Sequence, residues 1–263
     1  KGELSRVAVG VRVVLATTVL LVRRVGQGTK SSLGSWPVDH WTRQQHVTLF
    51  STGRVRAVLA SRGLEVDERT IMNCGPTCPF TRQLSAFAAL GWSAWQARAS
   101  SVSSGEERVF RAVNSATDDV ERTVWTVMQG GSFGAVPVTG LLVGLRRGPT
   151  EGAVVASAGT AAWLAGKALK TLVGRGRPAD LLPDVTVRGD PQSGLGYPSG
   201  HAAVALTLAL ASVPGRGWRT VAVMGAVAVA GGRMYTGAHL PLDVAGGLAV
   251  GALVGGATGR LRT

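Results

Sequence analysis

The stretch TVWTVMQGGSFGAVPVTGLLVGL, residues 123–145, carries no charged side chain. A helix needs roughly 20 such residues to cross the hydrocarbon core of a bilayer, so this window reads as one membrane span. Four more apolar windows follow it. They are Gly152 to Gly166, running on past Lys167 to Val173; Gly200 to Val213; Thr220 to Gly232; and Leu240 to Gly259, with Asp243 as its one charge. Some are shorter than a span. Their ends carry His, Arg or Lys, so the helices are expected to continue into those residues. Ala and Gly recur at three- and four-residue spacing, which suits close helix packing in lipid. The expected fold is all-α, a polytopic membrane helix bundle. A soluble domain of buried Ala-rich helices is the alternative, and five such windows in a row argue against it.

Composition agrees. Charged residues make up 16% of the chain, against about 25% in ordinary soluble domains, and mean hydropathy is +0.21. A hydrophobic share of 45% excludes a disordered chain. The 37 glycines have no strict third-residue period, which excludes a collagen-like chain. Two cysteines in 263 residues exclude a disulfide-stapled mini-protein. The net charge of +13 fits nucleic acid, anionic lipid or a phosphorylated substrate. The arginines are scattered and no nucleic-acid motif occurs, so no nucleic-acid partner is expected. Membrane loops collect Arg and Lys in any case.

The first 105 residues are less informative. Leu4 to Val22 is apolar but interrupted by Arg6 and Arg12, and it ends in Arg23-Arg24. It reads as a signal anchor or interfacial helix rather than a cleaved signal peptide. The chain starts at Lys1 without Met, as a fragment or a processed product would. Arg23 to Arg82 is a basic segment with turn formers and no repeat. Cys74 and Cys78 lack the further ligands of a metal site. They read as a disulfide if the segment is extracytoplasmic, or as two unpaired thiols in a turn. Leu84 to Ala97 is uncharged but short for a span, and Glu106 to Arg122 reads as an amphipathic interfacial helix. The division expected is residues 1–105 as an N-terminal region and 106–263 as the membrane-embedded domain.

Arg146-Arg147, Arg216 to Arg219 and the tail with Arg260 and Arg262 share one side, which the positive-inside rule makes cytoplasmic. The opposite side receives three segments: Lys170-Thr-Leu-Val-Gly-Arg175-Gly-Arg177-Pro178, Pro198-Ser199-Gly200-His201, and Arg233 through His239 to Asp243. Ionisable groups at membrane depth are costly and usually functional. Arg offers a planar fork of donors matched to phosphate oxygens, and Lys adds a point charge. Ser199 and Gly200 begin a helix, where free N–H groups favour an anion; Ser199 as a plain N-cap is the structural alternative. Two histidines can divide nucleophile and general-acid roles. Asp243, four residues after His239, would sit one helical turn along the same face and fix the imidazole tautomer. Arg175 has no place in this pattern and is expected to reach toward lipid headgroups.

These segments resemble the type-2 phosphatidic acid phosphatase superfamily, with its pattern K-x6-R-P, P-S-G-H and S-R-x5-H-x3-D. Lys170, Arg177 and Pro178 match the first motif, Pro198 to His201 the second, and Arg233, His239 and Asp243 the third. Gly232 stands where the pattern has Ser. The resemblance implies a six-helix core in which His239 attacks phosphorus and forms a phosphohistidine. It implies that Asp243 orients His239 and that His201 protonates the leaving oxygen and then activates water. Lys170, Arg177, Arg233, Ser199 and Gly200 would hold the phosphoryl oxygens. No metal or other cofactor is implied, since basic side chains supply the electrostatic clamp.

The function expected is therefore hydrolysis of a lipid monophosphate or diphosphate by an integral protein of the plasma membrane, with its site on the extracytoplasmic side. Polyprenyl diphosphate, phosphatidic acid, phosphatidylglycerophosphate and a phosphorylated sugar-lipid all fit as substrates. The rivals are a lipid phosphotransferase using the same phosphohistidine, a vanadium haloperoxidase, a non-catalytic lipid-phosphate-binding subunit, and a transporter. Charges gathered at one face rather than at the midplane argue against the last.

Overall fold

The computed structural model describes residues 79–99, 101–213 and 215–260. The anchor reading of Leu4 to Val22, nearly all of the basic segment, and Cys74 and Cys78 lie outside the described residues. Among the described residues the regular structure is helical. In chain order it runs α1 (Pro79–Ala97), α2 (Ser104–Asn114), α3 (Glu121–Met128), α4 (Ala135–Arg147) and α5 (Pro149–Val173). The short turn α6 (Pro178–Leu181) follows, then α7 (Gly200–Ser212), α8 (Arg216–Tyr235) and α9 (Pro241–Arg260). The described residues from Gln83 onward fall in one compact unit, so most of α1 belongs with the helices that carry the motifs.

The last four apolar windows each become a helix, and α5, α8 and α9 extend past their windows into charged or polar residues. The first window does not. Residues 123–145 are broken between α3 and α4, and the helical stretches Asp118–Gly131 and Ala135–Arg147 meet at 65°. The cause is local. Gly130, Gly131, Ser132 and Gly134 are weak helix formers, and Ser132 is extended, with ψ at 158°. Gly131 also lies against α7, where a Cβ would come 2.6 Å from the His201 carbonyl oxygen. The amphipathic stretch from Glu106 to Arg122 is likewise not one helix. It stops at Asn114 and passes through an extended Thr117 before turning into α3. Glu106, Phe110 and Asn114 are buried, so α2 packs into the bundle.

The core is built from small residues. Helix α7 lies at its centre, with Ala202 to Ala209 and Ala211 all buried. Gly247, Gly251 and Gly255 of α9 face it at four-residue spacing. A Cβ on Gly251 would sit 2.7 Å from the Ala203 carbonyl oxygen, and one on Gly255 2.8 Å from Leu210 Cβ. The Thr207 hydroxyl donates to the Gly251 carbonyl at 3.4 Å, which satisfies a polar group inside the contact. Helices α4 and α5 meet the same way, through Gly140, Gly144 and Gly152.

Large apolar side chains point outward instead. Val138, Leu141 and Leu145 of α4 and Trp218, Val221 and Met224 of α8 are exposed at three- and four-residue spacing. Small residues inside and large apolar residues outside are the arrangement that lipid favours. By length and hydropathy Pro241–Thr258 qualifies as a span, and the bent α3–α4 pair qualifies if taken as one. Helix α5, with 25 residues, is about 37 Å long, enough to cross.

Candidate active site

Four helix ends meet at one end of the bundle: the last turns of α5 and α8 and the first turns of α7 and α9. Backbone hydrogen bonds tie their connections together. Gly196 N–H donates to Arg175 O at 2.7 Å, Ser199 N–H to Asp243 O at 2.8 Å, and Arg188 N–H to Thr236 O at 3.2 Å. Gly174 ends α5 in the left-handed region, at φ 71°, and its N–H closes on the Lys170 carbonyl. That turn sends Arg175 and Arg177 back over the helix ends.

The first motif supplies two cations held by backbone. Lys170 Nζ donates to the carbonyls of Leu195 and Gly196. Arg177 donates to Ala238 O at 2.9 Å, Gly194 O at 3.0 Å and Ser193 O at 3.1 Å. The guanidinium thus links the loop before the second motif to the residue before His239. Burial lowers its pKa, partly offset by Asp243 and Asp180.

The second motif opens α7. Ser199 is fully buried, and its hydroxyl accepts the Ala202 N–H at 3.5 Å. Its oxygen is therefore used as the N-cap, and the phosphate-binding potential here lies in the N–H groups of the first turn, at Gly200 and His201. His201 is half-buried and forms no hydrogen bond through its ring among the described residues. Arg233, His239 and Lys170 are the titratable groups around it.

The third motif holds the main departure from expectation. His239 and Asp243 do not share a helical face, because His239 precedes α9 and Asp243 lies in its first turn. They meet nonetheless, with His239 Nδ1 3.6 Å from Asp243 Oδ2. The same Oδ2 accepts the Leu240 N–H at 2.9 Å, the backward reach of a capping carboxylate. Burial pushes the His239 imidazole down to about 4, although Asp243 acts to raise it. It is neutral near pH 7.

Arg233 stands apart. It ends α8 at 5% exposure, and its guanidinium has no acceptor among the described residues. Together with Arg177 it lines a cavity of about 160 Å³ that also includes Trp125, Arg188, Gln192 and Ala238.

Four further residues that match no motif position shape the site. Arg175 does not reach toward headgroups. It is buried, its Nη2 and Nη1 donate to Glu106 at 2.7 and 2.9 Å, and its Nη1 lies 3.2 Å from Asp243. Burial alone would lower its pKa, but the two carboxylates raise it. Gly196 has no room for a side chain, since a Cβ would sit 2.6 Å from Gly176 O and 3.0 Å from Asp243 Oδ2. Arg188 anchors the loop before α7 by donating to Asn114 O and Tyr235 O at 2.8 Å and to Ala116 O at 2.7 Å. Gly232, where the family pattern has Ser, lies against Met128 and Val124 of α3. A Cβ there would come 2.8 Å from Met128 Cγ. The glycine lets α3 lie directly against α8 at this point.

Residues 151–262 match the family model of the PAP2 superfamily. This segment is a PAP2 superfamily domain. It is the superfamily that the three motifs resemble. Two solved structures share the fold. One is Aquifex aeolicus LpxE, 27% identical, with a TM-score of 0.51 over 56% of this chain and 90% of that one. The other is a transmembrane PAP2-type phosphatidylglycerolphosphate phosphatase from Bacillus subtilis. It is 21% identical, with a TM-score of 0.57 over 69% of this chain and 94% of that one. No curated protein matches the chain. The helix bundle around α5, α7, α8 and α9 is thus the fold of PAP2 membrane phosphatases, and the PAP2 domain carries all three motif segments.

Proposed function

We propose that the protein hydrolyses a phosphorylated lipid through a phosphohistidine on His239. The observation that carries this reading is Arg233: a buried guanidinium without an acceptor among the described residues, at a cavity shared with Arg177 and beside both histidines. A buried, unpaired charge is strongly unfavourable unless something pairs with it. A phosphoryl group does so bidentately.

The geometry supports the following chemistry. Nδ1 of His239 faces Asp243, which leaves Nε2 to attack phosphorus. The N–P bond forms as the bond to the leaving lipid oxygen breaks, and His201 delivers a proton to that oxygen. Water then attacks phosphorus, His201 takes its proton, the N–P bond breaks and inorganic phosphate leaves. Lys170, Arg177, Arg233 and the first free N–H groups of α7, at Gly200 and His201 behind the Ser199 cap, stabilise the charge that develops on the phosphoryl oxygens. The cavity of about 160 Å³ suits a headgroup, and the outward apolar faces suit acyl or prenyl tails. The site is assigned to the extracytoplasmic face of the plasma membrane. Arg146, Arg147, Arg216 and Arg219 stand at the opposite helix ends, which supports that orientation.

The test is phosphate release by the full chain in detergent with EDTA present. Phosphatidic acid, phosphatidylglycerophosphate and polyprenyl diphosphate are the substrates, and His239→Ala is the control. Release that survives EDTA and disappears in the variant is expected. Release that persists in His239→Ala overturns the mechanism, and a folded wild type inactive on every substrate overturns the reading.

A further inference from the structure

Two buried residues next to the proposed nucleophile and its carboxylate partner, Glu106 and Arg175, have no part in the chemistry above. Arg175 forks onto both oxygens of Glu106, at 2.7 and 2.9 Å, and reaches Asp243 Oδ1 at 3.2 Å. The three side chains are sealed, at 3%, 5% and 0% exposure. A buried ionic group is weak evidence for stability, because well-packed apolar side chains of similar volume often do as well or better. The geometry here serves another end. Glu106 Oε1 also accepts the Leu242 N–H at 3.0 Å, while Asp243 Oδ2 accepts the Leu240 N–H at 2.9 Å. Pro241 between them has no N–H to offer. The two carboxylates therefore clamp the first turn of α9 from both sides of Pro241, directly after His239.

We infer that Glu106 and Arg175 are positioning residues, which fix Asp243 beside His239 and leave that carboxylate with a net negative charge. The inference rests on the reading of His239 as nucleophile only for its catalytic consequence. The charge arithmetic stands alone. Two carboxylates and one guanidinium sum to −1, which is what an imidazole needs beside it as it gains positive character. Without Glu106, Arg175 cancels Asp243. Without Arg175, two carboxylates act together and the site becomes more negative. The charged and titratable groups facing His239 are Lys170 from α5, His201 from α7, Arg233 from α8 and Asp243 from α9. The three cationic or neutral groups are unchanged by either substitution, so the sign of the effect is set by the cluster.

The test uses the full chain in detergent with isotope-labelled histidine. The sequence has four histidines, so the His239 signal is assigned by its loss in His239→Ala. Glu106→Gln should move the imidazole titration midpoint to lower pH by about half a unit or more, and Arg175→Gln should move it to higher pH. The double variant, again at −1, should return it toward the wild-type position. In phosphate release, Glu106→Gln should lower kcat about tenfold or more with KM nearly unchanged, the pattern of an interaction that acts in the transition state. If Arg175→Gln does not fold, Glu106→Gln and the double variant still decide. A folded Glu106→Gln with the wild-type midpoint and wild-type kcat overturns the inference. A wild type without phosphatase activity sinks the proposed reaction instead, while the histidine titration still reports on the cluster.

Discussion

Arg175 and Arg233 are both 5% exposed and both close to His239 or its carboxylate partner, yet their surroundings are opposite. Arg175 places both Nη groups on the carboxylates of Glu106 and Asp243, and only its Nε lacks an acceptor among the described residues. Arg233 has no side-chain partner among the described residues and borders a cavity. The first charge is balanced within the protein, and the second, in the proposed reaction, would be balanced by an anion. Residue type and burial alone do not separate a scaffold arginine from a ligand-binding one. What separates them is where their donors go.

The strongest way to break this contrast is to remove each side chain in turn. Arg175→Met leaves Glu106 and Asp243 buried together, and breaking a buried pair on one side costs about 3–5 kcal/mol. A denaturation midpoint in detergent should fall accordingly. Arg233→Met leaves no carboxylate behind, so its midpoint should hold or rise. Its phosphate release should drop by about 10²–10³, as when one transition-state donor is removed. Equal destabilisation by the two variants would erase the distinction.

The pH dependence sharpens it, since His239 lies between the two regions. Its imidazole is held near 4 in the folded protein against 6.5 for an unperturbed histidine. The unfolded chain therefore binds the extra proton first. Stability should be fully present above pH 6.5, decline as the pH falls toward 4, and level off below. The loss is on the order of 3 kcal/mol at 1.36 kcal/mol per pH unit. His239→Asn should flatten that part of the profile, as followed by the unfolding midpoint against pH. The smallest effect is expected at Ser199→Ala. Loss of an N-cap costs about 1 kcal/mol, and the first-turn N–H groups remain, so phosphate release should fall far less than in Arg233→Met.

How much of this was legible depends on the range of the signal. Apolar windows gave α5, α7, α8 and α9, because hydropathy acts residue by residue along a helix. The same averaging missed the break at residues 129–134, where glycine propensity and the contact of Gly131 with α7 override an apolar run. The three motifs brought their segments to one end, since each carries its own spacing. Arg175 was misread because its partners are remote. Glu106 is 69 positions away and Asp243 is 68, and nothing around Arg175 marks either. The neighbouring Gly174 and Gly176 were the available hint, as they allow the chain to fold tightly over the end of α5. The approach of His239 to Asp243 was anticipated, but for a geometric reason that does not hold: a loop and a capping turn bring them together, where one helical face was expected.

The glycine stripe of α9 has a consequence for timing between the two histidines. His201 starts α7 and His239 directly precedes α9, so the Gly247–Gly251–Gly255 contact sets their separation through main chain against main chain. On the α9 side of that contact there are no side-chain rotamers, the usual source of slack between helices. The helix pair works as a gauge block, and in the proposed reaction it would hold the two imidazoles at one spacing through both steps. Substitutions that tune substrate choice are then confined to the loops and the cavity rim, because a single methyl group on the stripe would shift both imidazoles at once.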